Sequence, residues 1–445
     1  MTLFERKDVN GFYDAWESRP EDYRQDQMRR LLKQTILFAR QQVPFYKDRL
    51  NAFEPRSDYP LANVPTLDCQ AVRPLLPPQS EALVAGNRHD FTVFQSGGTT
   101  GMPKTTLFSD EEFEALAHPN ARGFFAVGLI PSDRVANLWA VGGLYMTFLH
   151  INRMLQQYGC TSFPFSNHTP ASFVHTVTRL FQINCFSGIA SVVLNTLRQM
   201  TELGLDGIQI EKIYYGGEHL YEADRKELES KFGIRQIFAP GYGTVDSWYL
   251  GYQCLKCPPG VFHAHDDQVY LEILEENSNQ PCRAEQTGML YATPFLRRLT
   301  PIIRYRIGDR AHWLGRTCDC GRTTPLFQLL GRGDDVLRIG YDSIDYNSVQ
   351  EVICKTAGCL GSVQMEKQRE QGRDKLIIRV ETEVPADQFG RLSQELEERI
   401  LDYRPMIKEF VSKNSIWPLQ IELVPPGGLP RNSRTGKLIR VIDAL

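Results

Sequence analysis

The sequence predicts an α/β protein with a large N-terminal domain, in which parallel strands are covered by helices and joined to a β-rich subdomain, and a small, mobile α+β domain at the C-terminus. Three observations predict it. Between Asp90 and Pro240, short apolar runs alternate with longer amphipathic stretches, as in a parallel sheet whose crossovers are helices. From Gln268 the chain turns to β-rich pieces separated by turn residues. Its 445 residues are also too many for one ordinary core and enough for a large core plus an appendage.

Taken in order, residues 11–50 read as helices with aromatic and aliphatic anchors, and the Pro-rich stretch Pro55 to Pro78 reads as an extended cover. The runs Phe91–Gln95, Arg134–Ala140, Asn184–Ser187, Glu211–Tyr215 and Ile234–Ala239 are the expected parallel strands. Ser109 with Glu112 forms a capping box that opens the first covering helix. The β-rich pieces are Gln268–Leu274, Gly288–Thr293 and Arg304–Leu314. After Gly331-Arg-Gly-Asp-Asp335 the composition changes, with one clear helix at Ala386–Tyr403, so the domains divide as 1–333 and 334–445.

Composition narrows the function. A net charge of -3 gives no electrostatic footprint for a phosphate backbone, so nucleic acid is excluded as a partner. No apolar run reaches the roughly 18 residues of a membrane span, and Met1 to Asn10 is charged; the expected location is cytoplasmic, with no membrane partner. The ten cysteines are scattered apart from Cys254/Cys257 and Cys318/Cys320, which rules out a disulfide scaffold in a chain of this length.

The most informative stretch is Gln95-Ser-Gly-Gly-Thr-Thr-Gly-Met-Pro-Lys104. Gly97, Gly98 and Gly101 let backbone approach a ligand, Ser96, Thr99 and Thr100 offer hydroxyls, and Lys104 supplies a point charge, so the loop suits phosphate oxygens. Pro103 before the lysine, with no following Ser or Thr in a Mg²⁺ position, separates it from a Walker loop. Four further motifs follow in order: Gly241-Tyr-Gly-Thr-Val-Asp246, Arg304-Tyr-Arg-Ile-Gly-Asp309, Gly331-Arg-Gly-Asp-Asp335 and Arg434-Thr-Gly-Lys437. This series resembles the adenylate-forming superfamily of acyl-CoA synthetases, luciferases and peptide-synthetase adenylation domains, over nearly the whole chain. Val43-Pro-Phe-Tyr46, Cys320-Gly-Arg-Thr323, Asp334-Asp-Val-Leu337 and Arg440-Val-Ile-Asp443 look most like its phenylacetate-CoA ligase branch.

The residues also carry physical sense of their own. Gly216-Gly217-Glu218 follows a strand at the carboxyl end of a parallel sheet, where open α/β sheets bind ligands, and its backbone suits an adenine ring. Tyr242, followed by Gly243 and Thr244, offers an aromatic face to the same ring. Asp246 suits a carboxylate positioning Mg²⁺ and through it the phosphates of ATP. Asp309 can accept two hydrogen bonds from a ribose diol, and Arg332 adds a bidentate donor. The resemblance implies that Lys437 reaches the acyl and α-phosphate oxygens during adenylation and that Asp334 is the hinge about which the C-terminal domain rotates. The sequence departs from the family at Val245, where a Ser or Thr is usual. Thr244 is the substitute from one position earlier, and Asp246 is a shortened glutamate.

Cys254-x-x-Cys257, His263, His265 and Cys318-x-Cys320 have the makings of a structural Cys₃His zinc site. Cys257, His263, Cys318 and Cys320 are the first choice, with Cys254 or His265 as replacements; Cys69, Cys160, Cys185, Cys282, Cys354 and Cys359 read as packing residues. The acyl pocket is expected among Gly143, Tyr145, Phe186, Ser187, Tyr215 and Gly241, aromatic and glycine-rich without an obvious cation, which fits a flat aryl carboxylic acid. The resulting expectation is an ATP- and Mg²⁺-dependent aryl-acid ligase with CoA as acceptor. Its alternatives are transfer to a carrier-protein pantetheine in a natural-product pathway, with a phenazine-type carboxylate as one candidate acid, and an AMP-binding regulator without chemistry. A homodimer is compatible with each.

Overall fold

The computed structural model describes residues 11–86, 90–95, 105–217, 220, 222–275, 278–333, 335–339, 342–370, 373–412, 416–432 and 436–443. Four of the expected runs enter a five-stranded parallel sheet: Arg134–Asn137, Cys185–Ile189, Lys212–Gly216 and Gln236–Phe238, with Thr161–Pro164 added at the edge beside Arg134–Asn137. Helices Thr147–Tyr158, Ala171–Phe181, Ala190–Glu202 and Glu222–Ser230 are the crossovers. Cys185–Ile189 is buried at every position, as a central strand covered on both faces must be.

The first expected run is a correction. Thr92–Gln95 does not join the parallel sheet but pairs antiparallel with Thr105–Phe108, Gln95 opposite Thr105. Both flank the glycine-rich loop, and a pair of strands directly linked through a loop closes as a hairpin without a helical crossover.

A seven-stranded antiparallel sheet carries the β-rich part, including Tyr242–Thr244, Trp248–Tyr252, Val261–Ala264, Val269–Leu274, Gly288–Pro294, Tyr305–Leu314 and Leu326–Arg332. One apolar core spans this sheet, the parallel sheet and the N-terminal helix Glu21–Gln42. A second core, from Leu337 to Leu419, gathers the four-stranded sheet of Cys359–Glu370, Arg373–Thr382, Gln420–Val424 and Val441–Asp443 under the helix Phe389–Tyr403. Gly333 N donates to Gly308 O at 2.8 Å, on the side of the first core, while Asp335 O accepts from Tyr346 N at 2.9 Å, on the side of the second.

Several motifs that carried the resemblance are anchors. The buried Tyr46 hydroxyl donates to Pro301 O at 3.0 Å and accepts from Ile303 N at 3.1 Å, fixing the approach to strand Tyr305–Leu314. Arg322 donates to the wholly buried Glu17 at 2.5 Å, and Glu17 also accepts from Tyr252 Oη at 3.1 Å and Tyr13 N at 2.6 Å. A buried carboxylate with this many donors repays its desolvation and locks the N-terminal segment to the cysteine-bearing loops. Arg440 pairs with Asp335 at 3.5 Å. Among the described residues, no helix is long and apolar enough to cross a membrane.

Candidate active site and cysteine cluster

The strand Lys212–Gly216 ends in Gly216 and Gly217 at the carboxyl edge of the parallel sheet. Gly217 has φ +78°, open to glycine at little cost. A Cβ there would stand 3.0 Å from Lys437 Cε and 3.1 Å from Lys437 Nζ, although 220 residues separate the two in sequence. Lys437 is presented by a tight turn in which Gly436 N donates to Asn432 O and Asn432 N to Lys437 O, both at 2.8 Å. Gly436 itself, at φ +77°, lies close to Val192, which packs on the large core, and to Asn167. The C-terminal lysine is thus delivered to the carboxyl edge of the sheet, where open α/β sheets bind ligands.

Tyr242 and Asp309 meet on the neighbouring sheet. Tyr242 Oη donates to Asp309 Oδ2 at 2.5 Å, and the Tyr242 ring packs against Phe262 at 5.4 Å and Phe327 at 5.9 Å between centroids. Arg332 stands opposite Asp309 in the ladder between Tyr305–Leu314 and Leu326–Arg332. Asp246 is buried, within 3.4 Å of Tyr305 Oη. Gly243 admits no Cβ, which would fall 2.0 Å from Trp248 O. The Thr244 hydroxyl lies 2.8 Å from Ser247 Oγ and accepts from Ser247 N at 3.1 Å, so the residue offered in place of the missing hydroxyl also holds its own turn, while Val245 joins the apolar cluster of Phe94 and Trp248.

Of the expected acyl-pocket residues, Gly241 is pressed by Tyr249, 2.5 Å from a virtual Cβ, and Tyr145 sits beside a Gly142–Gly143 turn with φ +75° and +54°. Phe186 lies in the large core, and Ser187 Oγ accepts from Trp139 Nε1 at 3.0 Å. Tyr215 is buried, and burial raises its phenol above the usual range against the pull of Arg225. Trp139 is the residue that sequence reasoning missed: its indole lies 3.0 Å from a Cβ at Gly216 and 3.6 Å from one at Gly217, forming a wall beside Lys437. Its signal was an aromatic immediately beyond the strand Arg134–Asn137, at the ligand-binding edge. Ser96, Gly97, Gly98, Thr99, Thr100, Gly101, Lys104, Glu218 and Asp334 lie outside the described residues.

The cysteines converge. Donor atoms of Cys254, His263, Cys318 and Cys320 all lie within 4.8 Å of one another. Cys254 Sγ is 3.7 Å from Cys318 Sγ, and Cys320 Sγ is 3.5 Å from His263 Nε2. Tetrahedral zinc with Zn–S near 2.3 Å and Zn–N near 2.0–2.1 Å requires separations of about 3.8 and about 3.6 Å. His263 Nδ1 lies 3.0 Å from Thr324 Oγ1, which leaves Nε2 for a ligand. Of the first-choice residues, Cys257 lies outside this mutual group, its sulfur 3.5 Å from Cys254 Sγ, and Cys254, the replacement candidate, lies within it. His265 faces Arg122 Nη1 at 3.1 Å instead of the sulfurs. Cys160, Cys185 and Cys282 are buried as expected of packing residues, whereas Cys354 is exposed, a second correction.

No family model matches the chain. It is 25% identical over 426 residues to a phenylacetate-coenzyme A ligase of Thermus thermophilus, covering 93% of this chain and 94% of that one. A phenylacetate-coenzyme A ligase of Escherichia coli is likewise 25% identical over 450 residues, with 98% of each chain covered. Collinearity over that length joins the ordered motifs to the Lys437 geometry. The chain resembles the adenylate-forming superfamily, in its phenylacetate-CoA ligase-like branch. The chain shares its fold with 2-hydroxyisobutyryl-CoA ligase in a postadenylation state with a bound acyl-adenylate, at TM-score 0.83 and 21% identity, over 100% of this chain and 94% of that one. Against the same ligase in its thioesterification state the TM-score is 0.69.

Proposed function

We propose that this adenylate-forming enzyme activates an aryl carboxylic acid with ATP and transfers the acyl group to CoA. The acid's carboxylate attacks the α-phosphorus, pyrophosphate leaves, and the CoA thiolate then displaces AMP from the acyl-adenylate. The observation that carries the reading is Lys437 held against Gly217 at the ligand-binding edge of the sheet, where a fixed cation stabilises charge developing on the phosphorus. Asp309 and Tyr242 form the ribose and adenine side, and Arg332 adds a donor. Asp246 would hold Mg²⁺, which would supply positive charge to neutralise the phosphates. Ser96 to Gly101 and Lys104 cradle the outgoing phosphates. Tyr145, Gly241 and Trp139 bound an apolar space suited to a planar acid.

Pyrophosphate exchange over a panel of aryl acids tests the reading, followed by detection of the CoA thioester. No exchange with any acid, in protein that still binds AMP, would establish the silent regulator instead. Exchange without CoA thioester would favour the carrier-protein acceptor. The division at 333/334 and the hinge at Asp334 belong to the same proposal, and they are supported by the bonds that tie Gly333 to one core and Asp335 to the other.

Structural zinc at Cys254, His263, Cys318 and Cys320 is also proposed. It would clip the loop after Tyr252 to the loop after Leu314, and His263 adjoins Phe262, which packs on Tyr242. Metal analysis should give about one zinc per chain, lost together with thermal stability in Cys320→Ser. Fully stable metal-free wild type would reduce the cluster to packing. Reduced thiols of this kind suit a cytoplasmic protein.

A further inference from the structure

Arg297 lies between strands Gly288–Pro294 and Tyr305–Leu314, in none of the family motifs, and is 1% exposed. A buried guanidinium has to be met by acceptors, and this one joins three segments of the nucleotide site. Nη2 donates to Thr106 Oγ1 at 3.1 Å, Leu107 O at 2.8 Å and Thr300 Oγ1 at 2.7 Å. Nη1 donates to Glu112 at 3.0 Å, and the group lies 3.7 Å over the Phe108 ring. Thr106, Leu107 and Phe108 belong to the strand that leaves the glycine-rich loop. Glu112 closes the capping box with Ser109 and also accepts from Arg298 N at 2.5 Å and Leu299 N at 2.8 Å. The remaining donor, Nε, reaches the backbone carbonyl of Asp246 at 3.2 Å.

That last bond separates Arg297 from an ordinary buried ion pair. Rotation of the Asp246 peptide would re-aim the carboxylate, and the group opposing that rotation is bonded to the strand emerging from the phosphate loop. We propose that Arg297 is a positioning residue that fixes Asp246 against the strand Thr105–Phe108, so that its carboxylate is held ready for Mg²⁺. The inference rests on the reading of Asp246 as the Mg²⁺ carboxylate. Arg297 touches neither metal nor nucleotide; it acts through Asp246.

The test follows pyrophosphate exchange of the full chain against Mg²⁺ concentration at saturating ATP and acid. Arg297→Lys keeps the charge but loses the Nε donor and the planar fork. It should raise the Mg²⁺ half-saturation by about 10-fold or more, the scale on which metal affinity falls when an outer partner is lost, with KM for the acid unchanged. Glu112→Gln leaves Arg297 in place but slackens its hold, and should shift Mg²⁺ half-saturation in the same direction by less; it serves if Arg297→Lys fails to fold. A folded Arg297→Lys, or a folded Glu112→Gln in its place, with wild-type Mg²⁺ dependence overturns the proposal. So does an equal rise in KM for the acid, which would mark general damage. Asp246→Asn distinguishes the premise: normal Mg²⁺ dependence in that variant removes the reading of Asp246, and the positioning role with it.

Discussion

Gly217→Ala isolates the contact on which the proposed chemistry turns. At φ +78° an alanine costs about 1–2 kcal/mol in backbone strain, which sets the expected loss of stability. Its Cβ would stand 3.0 Å from Lys437 Cε and 3.1 Å from Nζ, inside the roughly 3.5–4.0 Å at which carbon atoms rest against one another. Lys437 is the flexible partner and must retreat by about 0.5–1 Å. A misplacement of that size can cost up to about 10²-fold in rate. Removing the ammonium in Lys437→Ala should cost about 10²-fold or more, an upper bound for the alanine at 217. Pyrophosphate exchange in Gly217→Ala is therefore expected to fall between about 10-fold and 10²-fold. Thioester formation from supplied acyl-adenylate and CoA should fall much less, because the lysine has no part in that step. Wild-type exchange in Lys437→Ala, or equal loss of both half-reactions in Gly217→Ala, would refute the argument.

Three other outcomes follow from the site and its surroundings. Asp309→Ala removes the acceptor of Tyr242 and the proposed ribose contacts, each about 1.5–3 kcal/mol for an ionised acceptor, so ATP and AMP should bind about 10- to 10²-fold more weakly by calorimetry; an unchanged Kd would count against it. Asp334→Pro fixes φ near -65° at the proposed hinge and should spare one half-reaction while suppressing the other; equal impairment in folded protein would place the hinge elsewhere. Burial pushes His150 and His265 from 6.5 down to about 3, so between those values the unfolded chain binds protons that the folded chain refuses. Stability should be whole above pH 6.5 and fall on acidification, by about 2 kcal/mol per histidine at pH 5, and equal urea midpoints at pH 7.5 and 5 would contradict it.

How much of this was legible in the sequence depended on whether a residue's role is local. The strand runs and the capping box were readable because periodicity and an i, i+3 pair are local facts, and Ser109 and Glu112 do cap the helix Asp110–Ala115. The partner of Thr92–Gln95 was not readable, because an apolar run carries no record of which strand lies beside it. Cysteine spacing drew in the loops that meet but could not choose between sulfurs. Cys254 and Cys257 are equivalent in a C-x-x-C pattern, and only the fold sets one of them against Cys318. Cys354 was misassigned for a similar reason, since nothing in its neighbours marks which face of the helix Tyr346–Cys354 meets solvent.

The same distinction explains why the motifs that identify this branch are not all reactive groups. Tyr46, Arg322 and Asp335 hold, respectively, the approach to the strand that carries Asp309, the N-terminal segment against the cysteine loops, and the start of the second core. Each is bound to a backbone group or an opposite charge far away in sequence, so changing one unpairs a distant partner as well. Trp139 and Arg297 are bound just as firmly, yet neither sits in a recognisable string, because their partners, from Ser187 Oγ to the Asp246 carbonyl and the Glu112 carboxylate, come from segments scattered along the chain. Where the partners are scattered along the chain, only the folded protein discloses them, and here that includes the guanidinium joining the strand Thr105–Phe108 to Asp246.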